Sequence, residues 1–245
     1  MSYQTLLKFI LQWGIAISLG ASTTISNATE KDQGLVNSQT SKPPATRLPV
    51  IYKPPLVDDT LASANGSIRK TVGKSTTVLA LAPDHTGLTT QQQPTLYWYT
   101  RTPMAVRFKL SMINEDGTQS LLEVKAGSEK TTGIQQLDLG KQNISLQPGV
   151  VYQWSVASLT DKGNHSADVS ASGVIERIKM GEGLTSRIEK TQGIDLVTVY
   201  AYEGIWYDAL ETISSMIDKS PGDQSLVAIR ASLLDQVGLQ ATTGD

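Results

Sequence analysis

Cysteine is absent from this chain of 245 residues. Without thiolates there can be no disulfide framework, no thiolate nucleophile, no zinc site with cysteine ligands and no iron–sulfur cluster. Apolar residues make up 39% of the chain, and a chain of this length can bury a stable core without disulfide bonds. The absence therefore excludes several classes of chemistry but does not exclude an exported protein.

The chain also lacks an excess of charge of either sign. It contains 21 Lys and Arg residues against 23 Asp and Glu residues, and charged residues make up only 18% of it. Nucleic-acid binding domains show a basic stripe, and membrane-surface helices show a dense basic face. Neither pattern occurs here, so we expect neither nucleic acid nor a membrane surface as a partner.

Histidine is scarce, and both residues, His85 and His165, fall in predicted loops. Neither begins a metal-binding spacing such as His-x-x-x-His. No Gly-x-Ser-x-Gly elbow and no glycine-rich phosphate loop occur, and the adjacent carboxylates at 58–59 and 115–116 lie in tether or turn contexts. We predict no catalytic residue, no cofactor and no metal. The protein is thus predicted not to be an enzyme.

The N-terminal residues have the pattern of a targeting signal. An apolar run at 9–21 follows a short positive start, and the small residues at 26–28 resemble a cleavage site. We predict a cleaved signal peptide at 1–28, with export to the periplasm, cell surface or extracellular space and no transmembrane span after cleavage. The alternatives are an uncleaved anchor or a buried strand. Residues 29–73 are predicted to form a disordered tether rich in Pro, Ser and Thr, with an apolar stretch at 48–52 that could dock.

The stretch from Leu146 to Val156 is the strongest fold signal. Tyr152, Trp154 and Val156 alternate with polar residues, as in a half-buried strand that follows a Pro-Gly turn. A tyrosine near the start of such a strand forms a tyrosine corner, in which its hydroxyl bonds to the backbone of the preceding turn. We therefore predict structural roles for Tyr152 and Trp154.

Seven short strand patterns occur between residues 74 and 180. This number and spacing are typical of an antiparallel sandwich, in which Trp98 on the second strand would lie in the core. The predicted fold class is mainly β with α, a seven-strand Ig-like or fibronectin-III-like β-sandwich followed by a C-terminal helical hairpin. The predicted strands are 76–83, 95–100, 105–113, 120–125, 133–139, 150–159 and 170–178.

The period of the apolar residues changes after residue 180. Steps of three and four predict one helix over 195–219 and a second over 225–237, forming an antiparallel hairpin at 181–245 that packs on the sandwich. Trp206 aligns with the apolar face and is predicted to be structural. Tyr207 is adjacent to it and is predicted to point outward, where it could form a partner surface with Tyr202 or Tyr200.

Tyr97 and Tyr99 flank Trp98 on the second predicted strand. If Trp98 faces the core, both tyrosines lie on the opposite face, about 7 Å apart. Two exposed rings could stack on a sugar or a peptide. The alternative is that the helical hairpin or the tether segment at 51–52 covers them, since the hairpin needs a surface for its apolar face.

Two resemblances add to this interpretation. Residues 202–210, together with Pro221, Ala228 and Gly238, are similar to part of a tetratricopeptide repeat. Over roughly residues 76–240 the chain resembles DUF928, an uncharacterised family found mainly in secreted proteins of cyanobacteria. That resemblance implies a fold and a compartment but no activity. The residues that carry it are 81–83, 87–89, 94–99, 133–134, 152–154, 173–177, 204–210, 233–234 and 237–239.

The sequence predicts a non-catalytic, exported protein-interaction module of a bacterial cell envelope. Its partner would be a protein, bound through the hairpin or an exposed sheet face, and the candidate contacts are Tyr97, Tyr99, Tyr202 and Tyr207. The alternative is a carbohydrate-binding sandwich that uses Tyr97 and Tyr99 to bind polysaccharide. A hydrolase is a third hypothesis, and it would require a histidine and a carboxylate within about 2.6–3.2 Å of each other.

Overall fold

The computed structural model describes residues 49–56, 78–114, 117–159 and 170–239. The predicted signal peptide at 1–28, most of the predicted tether at 29–73, and His165 lie outside the described residues.

The described residues contain eight strands, and each of the seven predicted strands has a counterpart among them. The additional strand, β2, has only three residues, too few for alternation to reveal it. The strands are β1 (Val78–Ala80), β2 (Gly87–Thr89), β3 (Thr95–Thr100), β4 (Met104–Asn114), β5 (Gly117–Ser128), β6 (Gly133–Asp138), β7 (Val151–Ser158) and β8 (Ser170–Arg177).

The strands form two sheets. The three-stranded sheet has the order β1-β3-β6 and is antiparallel, and the five-stranded sheet has the order β2-β8-β7-β4-β5, with β2 and β8 the one parallel pair. The ring of Phe108 lies 6.2 Å from that of Trp98 on the three-stranded sheet and 6.0 Å from that of Trp154 on its own sheet. Both tryptophans are fully buried, as predicted. These three rings join the inner faces of the two sheets.

The predicted bond of the tyrosine corner is confirmed. The backbone N–H of Gln147 donates to the Tyr152 hydroxyl over 2.9 Å. Gly149 has φ +76° in the turn between them, a conformation that glycine adopts without strain. Leu146 and Tyr152 are both buried. The corner therefore fixes where the chain enters β7, at the centre of the five-stranded sheet.

Four helices follow the strands in the described residues, where the sequence predicted two. A short first helix was missed because none of its residues is buried. The predicted helix over 195–219 is wrong in its middle, because Gly204, at φ +74°, breaks it into two. The break lies within residues 202–210, on which the predicted resemblance to a tetratricopeptide repeat was based. The helices are α1 (Glu182–Glu189), α2 (Gly193–Tyr202), α3 (Trp206–Lys219) and α4 (Gln224–Asp235).

The first turn of α3 inserts both of its aromatic side chains into the core, so the outward orientation predicted for Tyr207 is wrong. Trp206 Nε1 donates to the carbonyl of Leu81 over 2.9 Å. The Tyr207 hydroxyl donates to the carbonyl of Val174 and accepts from Trp154 Nε1, over 3.0 and 2.9 Å. Adjacent residues can both be buried here because the helix begins between other elements and does not lie flat on one face.

Residues 49–56, named the strap below, include most of the apolar stretch at 48–52 that was predicted to be able to dock. The strap is extended and packs on the helices, with Val50 and Tyr52 buried. A β-carbon on Gly204 would lie 2.8 Å from the carbonyl oxygen of Lys53. The strap therefore passes directly over the break between α2 and α3, and only glycine fits beneath it.

Replacing Tyr152 with Phe tests the corner. The variant keeps the buried ring and removes one hydrogen bond, so we expect the free energy of unfolding to fall by about 0.5–1.5 kcal/mol with the fold retained. Urea denaturation followed by circular dichroism measures it. Tyr202→Phe, on a half-exposed ring, is the control and should change stability by less than about 0.5 kcal/mol. Equal effects of the two substitutions would contradict the role of the corner.

Candidate functional site

A polar groove lies between the three-stranded sheet and the last two helices. It has a volume of about 510 Å³, within the range of small-ligand sites. Its floor comes from β3 and β6, its rim from the end of β5, and its opposite wall from α3 and α4. The lining residues are Tyr97, Gly127, Ser128, Ile134, Gln135, Gln136, Ser214, Ile217, Asp218 and Arg230.

Arg230 is the cationic residue of the groove. Its side chain is partly buried, and this desolvation lowers the pKa of its guanidinium, while Asp218 and Tyr97 raise it. Neither of them forms a hydrogen bond or an ion pair with Arg230, and no other residue in the described ranges does so. An arginine in this environment has donors available for an acceptor that enters the groove.

The side chains of Tyr97 and Ser214 meet at the floor of the groove. Burial raises the pKa of Tyr97 well above its ordinary value of 10.0, and the carboxylates of Glu211 and Asp218 raise it further. The Ser214 hydroxyl favours the ionised Tyr97, but within the described residues no group has hydrogen-bond geometry to its Oγ. Ser214 is 2% exposed. The Ser214 hydroxyl is therefore buried beneath the groove next to Tyr97, and it is not exposed to a ligand.

The other polar residues of the lining differ in whether they already have hydrogen-bond partners within the protein. Gln135 Nε2 already donates to the carbonyl and the hydroxyl of Thr131, over 3.0 and 3.2 Å. Gln136 and Asp218 are exposed at the mouth of the groove. The lining of the groove therefore combines a partly buried cation with an exposed amide and an exposed carboxylate. Such a site suits a polar ligand with an anionic group.

Two carboxylates of α3 attach this helix to the loop between β2 and β3. Asp208 accepts from the hydroxyl of Thr90 at 2.6 Å and from its N–H at 3.1 Å. Glu211 accepts from the hydroxyl of Thr95 at 2.9 Å and from Gln91 Nε2 at 2.8 Å. Burial raises the pKa of Asp208 to about 6 and also raises that of Glu211. Their bonds hold the helix in place, which sets the wall of the groove.

The structure separates the four tyrosines proposed as contacts. Tyr97 and Tyr99 are 4% and 6% exposed, which agrees with the alternative that other parts of the chain cover them and not with two exposed rings. Helix α3 covers Tyr97, because the apolar face of the helix needed a surface, and Tyr207 lies in the core. Tyr202 alone is half exposed, with the ammonium of Lys53 3.4 Å from its ring centre.

His85 was expected on the surface, but its side chain is 14% exposed. Its Nε2 lies 2.9 Å from the hydroxyl of Tyr52, and its Nδ1 lies 3.4 Å from Asp84. This carboxylate distance exceeds the range that the hydrolase hypothesis required, and His165 lies outside the described residues. The histidine therefore serves the contact with the strap.

Sequence reasoning missed Arg230, Ser214, Asp208 and Glu211. All four lie in segments predicted to be helical, where polar residues usually face solvent. Arg230 comes directly after an apolar position of the predicted helix. This was the one sign in the sequence that its side chain could be partly covered. Among the described residues, no group of three or more metal-ligating side chains occurs, and no helix there has the length and apolarity to cross a membrane.

Comparison with known proteins gives one family. A family model described as "Domain of Unknown Function (DUF928)" matches residues 64–244. No curated protein matches the chain. Among solved structures, the chain is similar to the crystal structure of the periplasmic chaperone SfaE, with 8% identity over 49% of this chain and 68% of that one. The TM-score is 0.25, which carries no argument about fold or function.

The raised pKa of Asp208 predicts how stability depends on pH. Because the folded state holds this proton up to about pH 6, against an ordinary value of 3.8, the free energy of unfolding should fall as pH rises from about 4 to 6. The loss should approach about 3 kcal/mol, at about 1.4 kcal/mol per pH unit. Chemical denaturation at several pH values measures it.

Asp208→Asn should reduce the slope of this dependence, because the amide does not titrate; Glu211, whose pKa is also raised, should account for the part that remains. Asp235→Asn, on an exposed carboxylate at the end of α4, is the matched control and should keep the slope of the wild type. An unchanged slope in Asp208→Asn would show that Asp208 titrates normally in the folded state.

Proposed function

Because the chain belongs to the DUF928 family, whose description assigns no function, we propose a function from its own geometry. The protein is a non-catalytic binding module, exported to the cell envelope of a bacterium. It recognises a protein partner by an acidic group that enters the groove and pairs with Arg230.

The observation that supports this most directly is the position of Arg230 in the groove lining. Its guanidinium is partly buried and makes no hydrogen bond or ion pair with the described residues. The partial burial of this side chain disfavours its charged form, and the lowered pKa of the guanidinium reflects that desolvation. A carboxylate that enters the groove would offset this desolvation by accepting hydrogen bonds from Arg230. Arginine binds carboxylates through two parallel hydrogen bonds, which gives orientation as well as affinity.

The surroundings of the groove favour a protein partner over a polysaccharide. Sugars stack on exposed ring faces, and Tyr97 contributes a buried ring to the groove. The rim contains Gly127 and Ser128, at the end of β5. In the five-stranded sheet β5 is an outer strand of twelve residues with mostly exposed or partly exposed side chains. An extended segment of a partner could pair with such an edge and place an acidic side chain in the groove.

We further propose that the two sheets form an Ig-like, fibronectin-III-like sandwich that carries the helical part on one side. The orders β1-β3-β6 and β8-β7-β4-β5 support this, as does the tyrosine corner at Tyr152. Export is proposed from the apolar run at 9–21 and the cleavage-site pattern at 26–28, and the lack of cysteine is compatible with an oxidising compartment.

A capture experiment tests the proposed function. Residues 29–245 serve as bait for an envelope extract, beside the same chain with Arg230→Gln. Loss of a charge-assisted hydrogen bond costs about 1.5–3 kcal/mol, so we expect the affinity for the captured protein to fall about 10- to 100-fold. Titration of the purified partner by calorimetry measures this change.

Lys219→Gln is the matched control, because it removes one positive charge from an exposed residue of α3 outside the groove lining. Its affinity should stay near that of the wild type. Equal retention of the protein by the Arg230 variant would contradict the site. Retention of polysaccharide without protein would favour the carbohydrate-binding alternative. A bait cut before α1 is unsuitable, since it would remove Trp206 and Tyr207 from the core.

A further inference from the structure

The strap lies on the helices in the manner of a bound peptide. It is extended, and its side chains alternate: Val50 and Tyr52 are buried, whereas Ile51 is 53% exposed. Its surroundings, named the cradle below, consist of Ala201, Gly204, Trp206, Gln236 and His85. The cradle contacts the strap through backbone hydrogen bonds and through buried side chains, as proteins do when they recognise extended segments.

The cradle forms hydrogen bonds with the backbone of the strap. Gln236 accepts from the N–H of Tyr52 through Oε1 at 2.8 Å and donates to the carbonyl of Val50 through Nε2 at 3.0 Å. The N–H of Lys53 donates to the carbonyl of Ala201 at 3.0 Å. One amide side chain thus satisfies a donor and an acceptor on either side of Ile51. These contacts require an extended backbone and do not depend on side chains.

The side chain of Tyr52 supplies the specificity. Its ring meets Trp206 edge to face, with the centroids 5.1 Å apart, and stacks on His85 at 5.9 Å. Its hydroxyl lies 2.9 Å from Nε2 of His85. Phenylalanine would keep the ring contacts and lose this bond. The cradle therefore fits a segment with an aliphatic residue at the first position, any residue at the second and tyrosine at the third.

At Gly204 the cradle leaves just enough space for the backbone of the strap. A β-carbon on Gly204 would lie 2.8 Å from the carbonyl oxygen of Lys53 and 3.1 Å from Pro55. The family match begins at residue 64, after the strap. The cradle thus belongs to the matched domain, whereas its occupant belongs to a segment in front of it.

From this arrangement we propose that the cradle is a peptide-binding site, filled within one chain by its own strap and able to take the strap of a second copy. Residues 57–77 connect the strap to β1, and 21 residues can span up to about 70 Å. A domain of this size is about 40 Å across. The connection is therefore long enough to reach the cradle of a neighbouring molecule.

A labelled synthetic peptide of residues 47–56 tests the site. The full chain carrying Val50→Ala and Tyr52→Ala should leave the cradle open. We expect this variant to bind the peptide at least tenfold more tightly than the wild type does, since the tethered strap competes in the wild type. Fluorescence anisotropy measures the affinities. Adding Gln236→Ala to the open variant should weaken binding at least tenfold, and the peptide with Tyr52→Ala should bind as poorly.

A folded open variant that does not bind the peptide would overturn the proposal. If the double variant unfolds, Tyr52→Phe replaces it, because it retains the ring against Trp206. The peptide should then bind about two- to tenfold more tightly than to the wild type, as expected for one hydrogen bond lost from the competing strap. Equal binding to the two chains would overturn the proposal in that case.

Exchange between copies is tested by mixing two full-length variants. The first has the altered strap and an intact cradle; the second, Gln236→Ala, has an intact strap and a weakened cradle. We expect a mixed dimer by native mass spectrometry at concentrations above the dissociation constant of the peptide. Two monomers at those concentrations would exclude a second copy as the occupant.

Discussion

The polar ends of Trp206 and Tyr207 hold the helical part and the sheets together. Trp206 bonds to the carbonyl of Leu81 after β1, and Tyr207 bonds to Val174 on β8 and to Trp154 on β7. These two residues thus join helix α3 to strands of both sheets or their extensions. Both rings are buried, so breaking their bonds would leave unsatisfied polar atoms in the core. The sheets and helices therefore share one core, and neither part can be removed without exposing the other.

This insertion determines where the two candidate sites lie. With its first turn fixed in the core and Asp208 and Glu211 bonded to the loop before β3, α3 must run along the three-stranded sheet. Ser214 is then placed against Tyr97, and the space left beyond it is the groove. The same first turn presents Trp206 to the strap, while Gly204 before it leaves room for the backbone. Both sites follow from one docking geometry, although their ligands approach separately.

Sequence patterns predicted those features of the structure that depend on residues close together in the chain. Alternation identified seven strands, and the Pro-Gly turn before Tyr152 identified the corner, because a single turn and one tyrosine determine it. The break at Gly204 was not predicted, because a helical pattern tolerates a single glycine and the strap that packs against this glycine lies about 150 positions earlier in the chain. Tyr97 could have faced solvent or a helix, and alternation cannot distinguish a strand covered on one face from a strand covered on both. The groove was invisible for the same reason: Tyr97, Ser214 and Arg230 meet only through the docking of α3 and α4.

Helix α4 contributes one residue to each site, Arg230 to the groove and Gln236, its C-terminal cap, to the cradle. Six residues of a helix span about 9 Å along the axis and turn through about 240°, so the two side chains leave the helix in different directions. A rigid helix moves as one body. The groove and the cradle therefore both depend on where α4 is placed.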